Sequence, residues 1–192
     1  MEALLQLDGA ALLWIQEYVR NDFLTPILTF ITHLGDHGYL WTALLLILLV
    51  IPKTRKAGLI GTATLLLTFL LNNQVLKPLV ARTRPYEVVA GLTILIKKPG
   101  EFSFPSGHTA NSICVGFVLW MISRQCEKLG DKTLYFPKAA GWFFLVLSIL
   151  IGLSRLYVGV HYPTDVLGGT VVAIFDACVV FGIYKKYFLK KN

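Results

Sequence analysis

Charge is scarce in this chain. Only 15% of its 192 residues are Asp, Glu, Lys or Arg, while 55% are hydrophobic; average soluble domains carry roughly 25% charged residues. With a mean hydropathy of +0.64, that balance excludes an ordinary soluble domain and points to a membrane protein. Cysteine is almost as scarce. Cys114, Cys126 and Cys178 are too few and too scattered for a disulfide framework, and no CxxC or Cys/His pair has metal-ligand spacing. No Ser-, Gly- or Pro-rich linker, low-complexity tract or internal repeat divides residues 1–192, so they read as a single domain. The first residues carry Glu2 and Asp8 and no basic segment before an apolar run, a pattern that argues against a cleaved signal peptide.

A net charge of +7 raises the question of nucleic acid, and the placement of the 18 basic residues answers it. Eleven fall in three patches: Lys53, Arg55 and Lys56; Arg124, Lys128, Lys132 and Lys138; Lys185, Lys186, Lys190 and Lys191. A membrane-crossing helix needs about 20 mostly apolar residues. Candidates run from about Ala10 to Leu34, then His37–Pro52, Ala57–Leu76, Phe102–Ser123, Ala139–Ser154 and about Pro163–Tyr184. The first is interrupted by Glu17, Arg20, Asp22 and Pro26; it reads either as one span or as an interfacial helix from Ala10 to Tyr18 followed by a short or tilted span from near Asp22. The expected fold is therefore an all-α, polytopic membrane bundle of about six transmembrane helices. Six spans put both termini and the three basic patches on one side, which the positive-inside rule makes cytoplasmic. Trp120 and Trp142 then fall near the cytoplasmic interface and Trp41 near the outer one. Lys77, Arg82, Arg84, Lys97, Lys98 and Arg155 remain on the extracytoplasmic side, where topology gives them no reason to gather.

Three segments meet that outer face. Lys77 and Arg84-Pro85 close the third span, Pro105-Ser106-Gly107-His108 opens the fourth, and Ser154-Arg155, His161 and Asp165 cross the junction of the last two. Lys77, Arg84 and Arg155 supply positive charge, with arginine adding a planar fork suited to phosphate oxygens. Ser106 and Gly107 precede a helix, where free backbone N–H groups favour an anion and glycine lets it come close. Two histidines and a carboxylate add groups able to act as nucleophile, acid and base near neutral pH. The chemistry that suits this set is phosphoryl transfer.

The same arrangement resembles the type 2 phosphatidic acid phosphatase superfamily: Lys, six residues, Arg-Pro at 77–85; PSGH at 105–108; Ser-Arg, five residues, His, three residues, Asp at 154–165. The motifs cover residues 77–165, and no motif position departs from the pattern. The resemblance implies a lipid phosphatase in the cell membrane with its site at the extracytoplasmic face. It makes His161 the nucleophile that forms a phosphohistidine, Asp165 the group that holds its other ring nitrogen, and His108 the acid for the leaving oxygen. Lys77, Arg84, Ser106, Gly107 and Arg155 become phosphate ligands, and neither a metal nor a cofactor is called for. The implied partners are membrane lipids and a lipid phosphate or diphosphate. Undecaprenyl diphosphate is the first choice of substrate, and phosphatidylglycerophosphate or phosphatidate the second. A lipid-binding protein or flippase would also want basic residues near headgroups, but would not require both His161 and Asp165.

Other segments have plainer readings. Arg82 lies inside the first motif but outside its defining set, and reads as a solvated or headgroup contact. Thr32-His33-Leu34-Gly35-Asp36-His37-Gly38 reads as a turn between spans rather than a metal site. Asp176, and Asn72 to Gln74, read as hydrogen-bonding groups between helices. The run Val88–Ile96, in the loop Tyr86–Ser103, is too apolar for a solvated loop. It either dips into the outer leaflet or folds down onto the bundle.

Overall fold

The computed structural model describes residues 2–129 and 134–189, so Lys132, Lys190 and Lys191, and the side chain of Lys128, lie outside the described residues. Among the described residues the chain is helical, with no strand. The elements are α1 (Glu2–Trp14), α2 (Leu24–Leu34), α3 (Tyr39–Val50), α4 (Arg55–Thr68), α5 (Lys77–Val80), α6 (Pro85–Val88), α7 (Gly107–Leu129), α8 (Lys138–Tyr157) and α9 (Pro163–Tyr184). Short π-helical stretches extend α1 through Ile15–Val19 and α4 through Phe69–Leu76.

The chain breaks the first expected span at Arg20, which is extended, and Asn21, whose Oδ1 accepts the N–H groups of Phe23 (3.1 Å) and Leu24 (2.8 Å) to start α2. Pro26 is tolerated because it lies in the first turn of α2. The 11 residues of α2 and the 12 of α3 rise about 17 and 18 Å, each too short for a hydrocarbon core of about 30 Å. They are joined through Gly35 and a 3₁₀ turn, Asp36–Gly38, in which His37 (φ 52°) and Gly38 (φ 69°) are left-handed. This is not the turn between two spans read from the sequence: it bends the pair by 44°, and the two helices together make at most one broken span, since neither is long enough alone.

Among the described residues three helices are long and apolar enough to cross a membrane: Arg55–Val88, Lys138–Tyr157 and Pro163–Phe188. The bent pair makes four, fewer than the six read from the sequence. The physical reason is clearest at α7, which has 23 residues but carries His108, Asn111, Ser112 and Arg124. It does not need a lipid-compatible surface, because α4, α8 and α9 pack around it. Ala110, Cys114, Val115, Val118, Leu119 and Ile122 are each fully buried. Lipid-facing composition belongs to the wrapping helices, which expose Phe143, Val146 and Leu153 on α8 and Leu167, Val171 and Phe175 on α9.

Polar bonds between helices fix the register of the bundle. Trp41 Nε1 donates to Ser112 Oγ at 2.8 Å, and Thr68 Oγ1 donates to Asp176 Oδ2 at 2.8 Å. Asp176 is thus the interhelical partner expected of it. Trp41 is not the interface ring expected of it: its side chain is fully buried in the core against Phe144, because an indole N–H with a partner inside the bundle needs no headgroup. The loop after α6 folds down onto the bundle, with Ile94, Leu95 and Ile96 packed against Tyr157, Val158 and Val160, and with Leu95 N–H donating to Val158 O at 3.2 Å. Of the two readings of that loop, this is the cap.

Candidate active site

Each motif residue is placed by a chain reversal. Lys77 ends the π-helical stretch; Ala81, left-handed at φ 48°, turns the chain so that Arg84 lies extended just before α6. Ser106 and Gly107 open α7 directly after Pro105, which follows a cis peptide bond. Arg155 occupies the last turn of α8, and Gly159 (φ 80°) reverses the chain there. A Cβ at Gly159 would be strained, and would meet Arg20 NH2 and Thr93 O at 2.8 Å. His161 then stands in the connection, with Asp165 in the first turn of α9 behind Pro163. The His161–Asp165 spacing is therefore not one turn within a helix: the carboxylate reaches back to a residue that precedes the helix.

Lys77, Arg84, Gly107, His108, Arg155 and His161 line one cavity of ≈ 520 Å³. Asp165 stands behind His161, with its Oδ2 3.3 Å from His161 Nδ1. The same oxygen accepts Tyr162 N–H at 2.9 Å and Ser103 Oγ–H at 2.5 Å. On the other side of the ring, Arg84 NH1 stands 3.0 Å from His161 Nε2. A guanidinium can only donate, so Nε2 is the acceptor and the ring proton sits on Nδ1, facing Asp165. Arg84 is held in turn by Val160 O at 2.9 Å and Glu101 O at 2.8 Å. Burial, followed by the charges of Arg84, Arg155 and Lys77, pushes the His161 pKa well below the usual imidazole value. The result is a buried, neutral imidazole whose unprotonated nitrogen meets a cation.

Arg155 donates to Thr32 Oγ1 at 2.8 Å, while its Nε is a buried donor with no partner among the described residues. Lys77 Nζ pairs with Glu101 Oε2 at 2.5 Å, and this hydrogen bond and charge hold the Glu101 carboxyl below its ordinary value. A side chain at Gly107 would stand 3.1 Å from Asn73 Oδ1 and 3.5 Å from Lys77 Nζ, so glycine keeps that corner open. Ser106 does not line the cavity. Its N–H donates to Asp165 O at 3.1 Å and its hydroxyl oxygen accepts from Thr109 Oγ1 at 2.9 Å, which makes it a brace between α7 and α9. A second cavity of ≈ 620 Å³ adjoins the first, sharing Phe69, Asn73, Lys77, Arg84 and Glu101 with it.

Four residues escaped the sequence reading of the site. Arg82 is no headgroup contact: it donates to Asp165 Oδ1 and to Asp8 Oδ2, each at 2.7 Å, and its guanidinium stacks 3.9 Å over the Tyr162 ring. A second arginine two residues before the motif arginine was the available signal. Glu101 covers Lys77, and Asp36 accepts from His108 Nε2 at 2.9 Å. Asn73, four residues before Lys77, lines the cavity; Asn72 Nδ2 bonds Asn73 Oδ1 at 2.8 Å within the same helix, not across helices as expected.

The model of the PAP2 superfamily matches residues 56–188. The chain belongs to that superfamily. Phosphatidylglycerophosphatase B of Bacillus subtilis is 33% identical over 176 residues, covering 88% of this chain and 79% of that protein. Undecaprenyl-diphosphatase BcrC of the same organism is 30% identical over 166 residues, covering 84% and 76%. The crystal structure of a transmembrane PAP2-type phosphatidylglycerolphosphate phosphatase from Bacillus subtilis superposes with a TM-score of 0.78 at 30% identity, over 100% of this chain and 90% of that one. The fold is thus that of a PAP2 transmembrane phosphatase, and the chain is a membrane protein of a lipid phosphatase family.

Proposed function

We propose that this protein hydrolyses a lipid phosphate or diphosphate through a phosphohistidine on His161, without a metal, at the extracytoplasmic face of the cell membrane. The observation that carries the reading is the His161 ring, proton-bearing toward Asp165 and lone-pair-bearing toward a cavity lined by Lys77, Arg84 and Arg155. The substrate's terminal phosphoryl group takes up the three cations and the free corner at Gly107, and Arg84 turns from Nε2 to a phosphoryl oxygen. The Nε2 lone pair attacks phosphorus as the bond to the leaving oxygen breaks, and that oxygen takes a proton from His108. Positive charge developing on His161 is met by Asp165, and charge on the equatorial oxygens by the cations. Water then attacks the phosphohistidine, giving its proton back to His108 and releasing phosphate.

Undecaprenyl diphosphate is the substrate of choice: its relatives of that activity match most of this chain, and a site on the outer face suits recycling of a carrier lipid. Phosphatidylglycerophosphate is the alternative, supported by the B. subtilis phosphatidylglycerophosphatase B. In this reading the α2–α3 pair, α4, α7, α8 and α9 cross the membrane and the end of α9 is cytoplasmic, while α1 lies at the outer face, where Asp8 meets Arg82 and Gln16 meets Gly91; the orientation rests on the basic patches. Phosphate release by purified protein from undecaprenyl diphosphate, phosphatidylglycerophosphate and phosphatidate, with His161→Ala alongside, is the test. Release that EDTA leaves unchanged, that vanadate inhibits and that the variant lacks is expected, with an acid-labile, base-stable phosphoenzyme at His161. Wild-type turnover in the variant, or strict dependence on added magnesium, overturns the mechanism. Lipid binding without release from any substrate points instead to a binding protein or flippase.

A further inference from the structure

The turn between α2 and α3 does more than bend the chain. Asp36 Oδ1 accepts from His108 Nε2 at 2.9 Å, and its second oxygen, Oδ2, accepts from His33 Nδ1 at 2.7 Å. A carboxylate can only accept, so both imidazoles present an N–H to it, and the two bonds fix the plane of the carboxyl group. The approach is tight. A Cβ on Gly35 would come within 2.8 Å of both His108 Cδ2 and Ile151 Cγ2, so only glycine lets this turn reach the start of α7. With Nε2 occupied, His108 is left with Nδ1, which has no partner among the described residues, and the ring lines the same cavity as His161.

We propose that Asp36 is the positioning residue of the leaving-group acid, holding His108 by Nε2 so that Nδ1 faces the leaving oxygen, while His33 holds Asp36. This rests on the proposed phosphohistidine mechanism and deepens it. In the first half-reaction the imidazolium of His108 gives its Nδ1 proton to the leaving oxygen as the P–O bond breaks and the His161–P bond forms. In the second, Nδ1 takes a proton from the attacking water as the His161–P bond breaks. One proton leaves and one returns, so His108 ends the cycle in the state in which it began. Asp36 touches neither phosphorus nor its oxygens in this scheme, so it governs departure of the leaving group and not capture of phosphate.

The experiment compares Asp36→Asn, His33→Gln and wild type on two esters, phosphatidate and 4-nitrophenyl phosphate, reading kcat/KM, which covers steps through departure of the alcohol. An alkoxide needs an acid and 4-nitrophenolate does not. Asp36→Asn is expected to lose about 10- to 100-fold on phosphatidate and less than about twofold on 4-nitrophenyl phosphate. His33→Gln follows the same pattern with a smaller loss. Unchanged inhibition of Asp36→Asn by vanadate shows that the variant is folded with its phosphate pocket intact. Equal losses on both esters, with vanadate inhibition weakened alike, make Asp36 a structural brace and overturn the proposal, as does no loss on either ester. Full turnover by His161→Ala, or no release by wild type from any phosphate ester, brings down the phosphohistidine reading itself and is thereby told apart from a failure of Asp36 alone.

Discussion

Two histidine–aspartate pairs face one cavity and are built in opposite ways. The His161 and Asp165 side chains are 2% and 0% exposed; those of His108 and Asp36 are 22% and 39% exposed. Asp165 is fixed by Ser103, Tyr162 N–H and Arg82, whereas Asp36 has His108 and a half-exposed His33. A buried pair among cations holds its ring neutral and its tautomer constant, which suits a nucleophile. A pair open to water can exchange protons on each cycle, which suits an acid and base. The same two residue types serve two tasks because burial and neighbours differ.

The sharpest way to break this contrast is Asp165→Asn, which keeps the shape but removes the charge facing Nδ1. A loss of about 10³- to 10⁴-fold in kcat is expected from a disturbed tautomer, by analogy with other buried Asp–His pairs. A loss no larger than that of Asp36→Asn would erase the distinction. Next is Arg155→Gln, which removes the charge beside the unpartnered Nε; it is expected to cost about 10²- to 10³-fold in kcat/KM and to weaken vanadate inhibition. Unchanged vanadate inhibition would show that Arg155 serves only its bond to Thr32.

Arg82→Gln probes the support behind the closed pair. Arg82 lines the adjoining cavity but not that of His161, which it reaches through Asp165, so the variant should lower kcat by about tenfold while leaving the KM nearly unchanged; a change confined to KM would instead place Arg82 on the substrate. The closed pair also sets a pH expectation. Since burial and the neighbouring cations depress the His161 pKa, the ring stays neutral below its ordinary value of about 6.5, and its acidic limb in kcat/KM lies under that pH. Arg84→Gln removes one depressing charge and should move that limb upward; a downward shift would contradict the electrostatic account. The smallest and least selective effect belongs to Ile94→Ser with Ile96→Ser. Packed on Tyr157 and Val160, these residues hold the connection that carries His161, so thermal stability and turnover of lipid and soluble esters should fall together. A loss confined to long-chain lipids would restore the loop to lipid guidance.

The local chemistry of this protein was written in its sequence. A run of apolar residues dictates helix in a membrane, where backbone groups must be satisfied within the segment, and the motif spacings marked Lys77, Arg84, His108, Arg155, His161 and Asp165 before any contact was known. What hydropathy could not decide was which helix meets lipid, because α7 escapes that requirement by being wrapped in other helices, and α2 and α3 divide one length between them. Nor could spacing reveal the partners. Arg82 reaches Asp8 and Asp165 across 74 and 83 residues, and Asp36 reaches His108 across 72. Those contacts depend on helix ends brought to one place, and therefore on packing, which no local pattern encodes. The same limit explains Trp41: an amphipathic ring satisfies an interface or a buried Ser112 equally well, and only the tertiary structure chose between them.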